Sequence, residues 1–232
     1  MKKIILLIYT LVSLNYAYDD DDLSKLLASN FCENCDLYNA NLKKYNLQKA
    51  KLSVSNFQGA NFSGADFTEA DLSYTNLSKS IGYITILKNV NLEGADLTNA
   101  RLNGADLRNA NLTDATLINS NLSKTSSSEI ILDGSNLKNA KFKGADLTKS
   151  KIYGSNLLNS DFSGANMTGA ILDSVDLRHS NLMSTKLDNV NFLNSEVSGM
   201  NLAKFSLDKS NFINTKMCNT LVPWKEKKVL CD

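Results

Sequence analysis

The reactive groups that stand out in this 232-residue chain are its four cysteines. Cys32 and Cys35 form a C-x-x-C motif near the start, and Cys218 and Cys231 lie near the end. Thiols at the C-x-x-C spacing carry out disulfide exchange in thioredoxin-like proteins, bind metals, or form structural disulfides. No βαβ pattern surrounds the first pair, so the sequence does not favour redox catalysis.

Carboxylates and the single histidine give little further support to catalysis. Asp19 to Asp22 are consecutive, so their side chains diverge around the backbone and lack the spaced oxygen ligands of a calcium loop. His179 has no serine, cysteine or carboxylate set beside it other than through regular spacing. There is no glycine-rich phosphate loop and no metal-ligand spacing. The sequence therefore predicts no enzyme activity, no cofactor and no metal.

The elements that would position these groups follow a period of five residues. From Cys32 to Met217 there are 38 positions spaced by five, and 35 of them are Leu, Phe, Ile, Val or Met; the exceptions are Cys32, Gly82 and Ser127. We call these the central positions. Two residues before each one the residue is mostly Ala, Ser or Thr, and one before it mostly Asn or Asp. A period of five forms no stripe on an α-helix and no single face on a straight strand. All central residues can share one core only if the chain turns a corner in every unit, which predicts a solenoid of very short strands.

These units resemble those of the pentapeptide-repeat family, whose pattern is A-(D/N)-L-x-x. The pattern appears at Ala65-Asp66-Phe67, Ala95-Asp96-Leu97, Ala105-Asp106-Leu107 and Ala145-Asp146-Leu147, among others, and covers about four fifths of the chain. The resemblance implies an all-β fold, a right-handed quadrilateral parallel β-helix with four units per coil and about nine coils. It does not imply one activity, because one fold hosts many functions.

Four segments are predicted along the chain. Residues 1–17 have a basic start, an apolar run and a possible cleavage site after Ala17, as in a secretory signal peptide, and the run is too short to span a bilayer. Residues 18–30 are predicted to form a short capping helix, because Leu23, Leu26 and Leu27 follow an acidic start. Residues 31–217 form the β-helix and residues 218–232 a C-terminal cap. We therefore expect a periplasmic or secreted protein without a membrane span.

The resemblance and the expected export together predict two local disulfides. Family members with signal peptides look similar at both ends, with a C-x-x-C entry and a C-N-T exit. In a rod of more than nine coils the two ends lie far apart, so only Cys32 with Cys35 and Cys218 with Cys231 join neighbours. The same separation prevents the two pairs from sharing a zinc ion.

Two stretches break the repeat without changing its count. Gly82 and Ser127 occupy central positions, with apolar residues at Ile81, Tyr83 and Ile84 near the first and at Ile130 and Ile131 after the second. One interpretation is a local bulge that turns an isoleucine inward to fill the space beside Gly82 or Ser127. The other is an exposed apolar patch that binds a partner.

Charge sorted by side of the coil predicts a binding surface, which we call the basic face. It contains residues 41–45 and every equivalent group twenty residues further on, with a net charge of +6, and the opposite side has −4. The predicted interaction surface consists of seven cations and three apolar residues: Lys43, Lys44, Arg101, Lys124, Lys141, Lys143, Lys204, Ile81, Tyr83 and Ile84. The expected partner is an anionic component of the cell envelope or an acidic protein, and a homodimer through an end cap is a further possibility. Nucleic acid is disfavoured because stacking aromatics are almost absent from this face.

Composition bears on the two functions we considered. The chain has 25 Lys and Arg against 24 Asp and Glu, and removal of residues 1–17 leaves a net charge of −1. Relatives that bind or protect DNA gyrase look like strongly acidic rods that imitate DNA. A near-neutral, exported chain favours a structural or protein-interaction scaffold, with the topoisomerase-directed DNA mimic as the alternative.

Overall fold

The chain turns a corner at the end of each five-residue unit. In the computed structural model, which describes residues 19–207 and 209–224, the residue two after each central position has φ between 54° and 78° in nearly every unit from Asn34 to Asn219. This left-handed conformation suits Gly and Asn, the residues found there most often. His179 and Lys204 are the described exceptions. The predicted signal peptide, residues 1–17, lies outside the described residues.

Backbone hydrogen bonds tie each coil to the next, with donor and acceptor 19 or 21 residues apart. The unit around Leu107 shows the pattern: its N–H donates to Ser126 O (2.7 Å), and Asn109 N–H donates to Ser128 O (3.0 Å), both in the following coil. In the reverse direction Ser126 N–H donates to Ala105 O (3.0 Å). Every isolated β-bridge in the described chain is parallel and joins residues twenty apart, from Phe31 with Lys51 onward. Each strand among the described residues is thus a single bridging residue, and four units make one coil, as predicted.

Central residues and the small residues two before them fill the interior. Phe57, Phe67, Phe142, Phe162 and Phe192 are fully buried, together with the leucines and alanines of the repeat. The aromatic rings of Phe142 and Phe162 stack one coil apart, with centroids 5.3 Å apart. Where Asn or Asp precedes a central residue, its side chain caps the turn: Asp96 Oδ1, for example, accepts the N–H of Thr98 (2.8 Å). The polar half of the repeat is therefore explained by turn formation.

Neither break in the repeat forms a bulge, so that interpretation was wrong. At the first break the register continues, because Gly82 N–H donates to Arg101 O (2.8 Å). A Cβ on Gly82 would lie 2.2 Å from Phe62 Cε2 and 2.8 Å from Leu102 Cδ2, so the neighbouring coils fill the space from above and below. At the second break Ser127 is buried and donates to Thr125 Oγ1 (2.9 Å).

The isoleucine after the second break lies inward because its position in the repeat is inward. Ile130 is fully buried and occupies a position where other units have Ala or Ser. At this break the central position holds a small residue, Ser127, and the position two before the next central residue holds a large one, Ile130. The usual sizes at these two positions are thus reversed. The interior is filled by this compensation rather than by any change of backbone path.

One helix, α1 (Asp20–Ser29), covers the N-terminal end of the solenoid. The side chain of Asp19 caps it by accepting the N–H groups of Asp21 and Asp22, and Leu26 is fully buried against the core. Asp22 Oδ2 accepts Asp36 N–H (2.8 Å), a donor that the first coil would otherwise leave open. In the described part of the chain no helix is long and apolar enough to cross a membrane.

Candidate functional site

All seven cations predicted for the basic face are exposed. The ion pairs among the described residues join other residues, namely Lys49 with Glu69, Arg108 with Asp106, and Arg178 with Asp176. The seven cations of the basic face thus form no ion pair within the described chain, and the one carboxylate on this face there is Asp161, which pairs through its backbone with Lys141. Their accessibility makes this face the first candidate for binding an anion.

A single column of bridging residues runs along the centre of the basic face. Ile81 pairs with Arg101, Arg101 with Asn121, and Asn121 with Lys141, each one coil further on. At the usual strand spacing of about 4.8 Å, the backbones of Arg101 and Lys141 lie about 10 Å apart with an amide side chain between them. The fold thus places two cations at a fixed separation on a rigid wall.

A shallow depression of about 450 Å³ lies beside this column, at the corner with the neighbouring side. It is lined by two cations, an aromatic ring, four amides and a backbone segment: Arg101, Lys141, Tyr83, Asn99, Asn103, Asn119, Asn121 and Ala100. Sequence reasoning identified the cations and the tyrosine as surface residues but missed the amides as part of a site. The recurrence of asparagine every twenty residues at the adjacent corner, as at Asn99 and Asn119, could have revealed these amides.

The asparagine column at this corner is held in place by its backbone. Asn99, Asn119, Asn139 and Asn159 all have φ of 57–59° and occupy equivalent turn positions on one corner, as the four-sided coil requires. Asn139 Nδ2 donates to Asn119 Oδ1 (2.9 Å), which links the two amides across neighbouring coils. Asn119 therefore presents its amide to the depression from a fixed position.

Apolar side chains lie at the N-terminal end of the depression. Tyr83 is 39% exposed and Ile84 is 74% exposed, while Ile81 is half-buried in the ladder. Ile84 lies over the next coil because the equivalent residue there is Gly104: a Cβ on this glycine would lie 3.8 Å from Ile84 Cγ1. The structure thus brings Tyr83 and Ile84 to the end of the cationic column, as the exposed-patch interpretation expected.

The remaining predicted cations do not converge on the depression. Lys124 and Lys143 are exposed on the same face beside the column, but neither lines the depression. Lys43 and Lys44 lie two coils before Tyr83, and Lys204 lies in a separate cleft five coils beyond Arg101. The predicted surface is therefore one compact site with outlying charges along the same face.

Several carboxylates on the opposite, acidic side accept hydrogen bonds from within the chain, namely those of Asp71, Glu93, Asp133 and Asp173. Burial raises the pKa of Asp71, but hydrogen bonds from Ser73 and Asn91 outweigh burial, so that the pKa of Asp71 is lowered overall. Glu93 accepts the hydroxyl of Tyr74 (3.0 Å), and this hydrogen bond raises the pKa of Tyr74. Carboxylates that are already hydrogen-bonded offer less to a partner than the unpaired cations across the rod.

The cysteines are structural in this arrangement. Cys32 and Cys35 form a disulfide (S–S 2.01 Å), and Cys218 is also disulfide-bonded. Cys231, the predicted partner of Cys218, lies outside the described residues. Asp22 has a ligand atom within 4.8 Å of both sulfurs of the first pair, but the sulfurs are bonded to each other and are not thiolates.

The chain matches the model of a known protein family. The family model of pentapeptide repeats (8 copies) matches residues 46–81, 85–114, 110–148, 128–158 and 149–187, and so passes over residues 82–84 at the first break. No curated protein sequence matches the chain.

Several solved structures of similar chains are also found. HetL, a pentapeptide repeat protein involved in heterocyst differentiation regulation from the cyanobacterium Nostoc sp. strain PCC 7120, is 20% identical over 91% of this chain and 100% of its own length, with a TM-score of 0.34. A trypsin-treated form of QnrB1, a plasmid-mediated fluoroquinolone resistance protein, is 18% identical over 78% and 88%, with a TM-score of 0.48. Rfr23 from the cyanobacterium Cyanothece 51142 is 30% identical over 56% and 96%, with a TM-score of 0.32.

Proposed function

Since this chain belongs to the pentapeptide-repeat family, whose members fold as right-handed quadrilateral β-helices and generally serve as structural or interaction proteins, we propose that it is a non-enzymatic, extracytoplasmic scaffold. Its basic face binds an anionic polysaccharide of the cell envelope. The observation that carries this proposal is the depression in which unpaired Arg101 and Lys141 flank a set of amides.

The chemistry of the depression suits a charged sugar polymer. Cations bind carboxylate or phosphate groups, and asparagine amides both donate to and accept from hydroxyl groups. The ring of Tyr83 offers an apolar surface at one end. A polymer repeats its charges at intervals, which matches cations spaced about 10 Å apart along a rigid column.

Many weak contacts must act together on such a face. One exposed ion pair contributes about 0–1 kcal/mol and is screened by salt. Several cations on one rigid wall bind a polymer more tightly, because the first contact raises the effective concentration for the next. Lys43, Lys44, Lys124, Lys143 and Lys204 supply such additional contacts along the rod.

The test compares two charge-reversed proteins with equal net charge. Arg101, Lys141 and Lys143 are changed to Glu in one, and Lys79, Lys88 and Lys149 on the neighbouring sides are changed to Glu in the other. With polygalacturonate as the probe and neutral dextran as its control, we expect the first variant to lose at least about tenfold in affinity at low salt. The second variant should bind as the wild type does. Equal loss in both would refute the assignment of the face, and binding only to acidic proteins would favour the other class of partner.

The extracytoplasmic location is tested by fractionation. The disulfide between Cys32 and Cys35 supports an oxidising compartment, and residues 1–17 have the pattern of a signal peptide. We expect the protein outside the cytoplasm, beginning near Tyr18. Cytoplasmic protein that retains Met1 would contradict export and would favour a topoisomerase-binding function.

A further inference from the structure

The ladder between coils opens over two adjacent sides near the C-terminal end. One coil earlier on the same sides the pattern is complete: Phe162 N–H donates to Asn181 O (2.9 Å) and Gly164 N–H to Met183 O (2.8 Å). The next equivalents would join Leu182 to Asn201 and Ser184 to residue 203. Neither of these two hydrogen bonds is formed in the described chain. Three further equivalents are missing there as well: Leu187 N–H to Ser206 O, Asn201 N–H to Ser180 O, and Ser206 N–H to Thr185 O.

Intact bridges bound the opening on both sides. Asp176 pairs with Glu196 before it and Asn191 with Asn211 after it. The upper edge is itself well anchored, because Leu202 N–H donates to Leu221 O (2.7 Å) in the following coil. The separation is therefore a local cleft between two ordered coils, with a volume of about 700 Å³.

Two bulky residues at positions reserved for small ones explain the cleft. Met200 and Phe205 occupy the position two before a central residue, where the preceding coil has Ser180 and Thr185. At the second break a large Ile130 is compensated by a small central Ser127, but here the central residues are Leu202 and Leu207. With no compensation, Met200 and Phe205 stay only partly buried against the core and line the cleft.

The two edges of the cleft present complementary backbone groups. The lower edge offers N–H groups of Leu182 and Ser184 with the carbonyl of Ser180, and the upper edge offers carbonyls of Asn201 and Ala203 with the N–H of Asn201. On the side of Leu182 and Asn201, an extended chain that runs in the same direction as the coils would pair with both edges once they stand about two strand spacings, or about 10 Å, apart. On the next side the hydroxyl of Ser206 still donates to Asp188 across the cleft. Backbone groups left without partners favour such an occupant.

Charge and apolar surface define the occupant further. Lys186 and Lys204 line the cleft, are exposed and form no ion pair in the described chain, whereas Asp188 is engaged by the hydroxyl of Ser206. Met183 at the lower edge is 68% exposed. The edges therefore suit a segment with apolar side chains and an acidic residue.

We propose that this cleft binds an extended segment of a partner protein, which adds a parallel strand between the two coils and places a carboxylate near Lys186 and Lys204. The inference goes beyond the polysaccharide-binding function and does not depend on it. The cleft shares only Lys204 with the predicted interaction surface and lies about four coils from Arg101, so the charge reversal at Arg101, Lys141 and Lys143 should leave peptide binding unchanged.

Amide hydrogen exchange on the full chain tests the proposal. Without peptide, the amides of Leu182 and Ser184 should exchange much faster than those of Phe162 and Gly164. The probe is a blocked seven-residue peptide of alternating valine and threonine with a central glutamate. It should slow exchange at Leu182 and Ser184 by at least about tenfold, and the same peptide N-methylated at alternate residues should not, because it has lost backbone donors.

A variant that closes the cleft supplies the second arm. Met200→Ala with Phe205→Ala restores small residues, and we expect it to protect the amides of Leu182 and Ser184 permanently and to remove the effect of the peptide. Ser160→Ala, two coils earlier in the column of Met200, is the matched control and should behave as wild type. Protection of Leu182 and Ser184 in wild type without peptide, equal protection by the methylated peptide, or an unchanged peptide effect in the double variant would each overturn the proposal.

Discussion

The exchange of sizes between Ser127 and Ile130 predicts strong coupling between two mutations. Ser127 lies between Leu107 and Leu147 in its column, and Ile130 occupies a position that is alanine in the coil below. Changing Ser127→Leu and Ile130→Ala together restores the arrangement of the coil below. Each change alone disturbs a fully buried site.

The magnitudes follow from burial. Ile130→Ala alone leaves a cavity and should cost about 2–5 kcal/mol. Ser127→Leu alone overfills the coil and should cost about 1–3 kcal/mol, in addition to the hydrogen bond with Thr125. Independent effects would add to about 3–8 kcal/mol in the double variant. Compensation predicts instead that the double variant lies within about 1.5 kcal/mol of wild type.

Guanidinium unfolding followed by far-UV circular dichroism measures the four proteins. The slope of the transition must agree among them for the free energies of unfolding to be compared. If the losses of the two single variants add in the double variant, then Ser127 and Ile130 do not share one space and the compensation argument fails. A coupling of about 3 kcal/mol would support it, and would extend the same reasoning to the cleft at Met200.

Three further predictions concern other parts of the rod. Gly82→Ala should lower the free energy of unfolding by about 1–3 kcal/mol, because the added Cβ would meet Phe62. Adding Phe62→Leu to this variant should recover much of the loss in the same unfolding assay, and no recovery would argue against the contact. Cys35→Ser should speed amide exchange in α1 but not in the central coils, since the Cys32–Cys35 disulfide lies beneath that helix; uniform acceleration would contradict a local role. The side-chain hydrogen bond from the neighbouring arginine holds the pKa of Asp106 below its usual value. Ionised Asp106 therefore stabilises the folded state at pH values above the pKa that this residue has in the unfolded chain, and the stabilisation is lost as the pH falls below about 4. Asp106→Asn should therefore reduce the fall in melting temperature between pH 5 and pH 2, and an unchanged fall would show that this carboxylate does not contribute.

Most of the architecture could be predicted because one physical requirement repeats in every unit. Leu97, Leu107 and Leu112 cannot share a core unless the chain turns every five residues, and this turn favours the Asp or Asn that precedes each of them. The family resemblance supplied the four-unit coil and its hand. The isolated β-bridges of the described residues all join positions twenty apart, which agrees with four units per coil.

What the sequence left open depends on contacts between coils. Gly82 looked like a gap because its fillers, Phe62 and Leu102, are twenty residues away along the chain. The asparagines of the depression were hidden for the same reason, since Asn99 and Asn119 lie in neighbouring coils, twenty residues apart. The cleft also escaped prediction, although its cause was visible in the sequence as Met200 and Phe205 at positions usually occupied by small residues.

The direction of the hydrogen bonds between coils gives the rod an electrical polarity. Each unit sends two N–H groups toward the following coil and one toward the preceding coil, so the peptide dipoles do not cancel along the axis. An open edge that faces the N-terminus is rich in carbonyl oxygen, and one that faces the C-terminus is rich in N–H. A twofold dimer through like ends would therefore set oxygen against oxygen or hydrogen against hydrogen. If such rods associate end to end, electrostatics favours a head-to-tail filament over a symmetric pair.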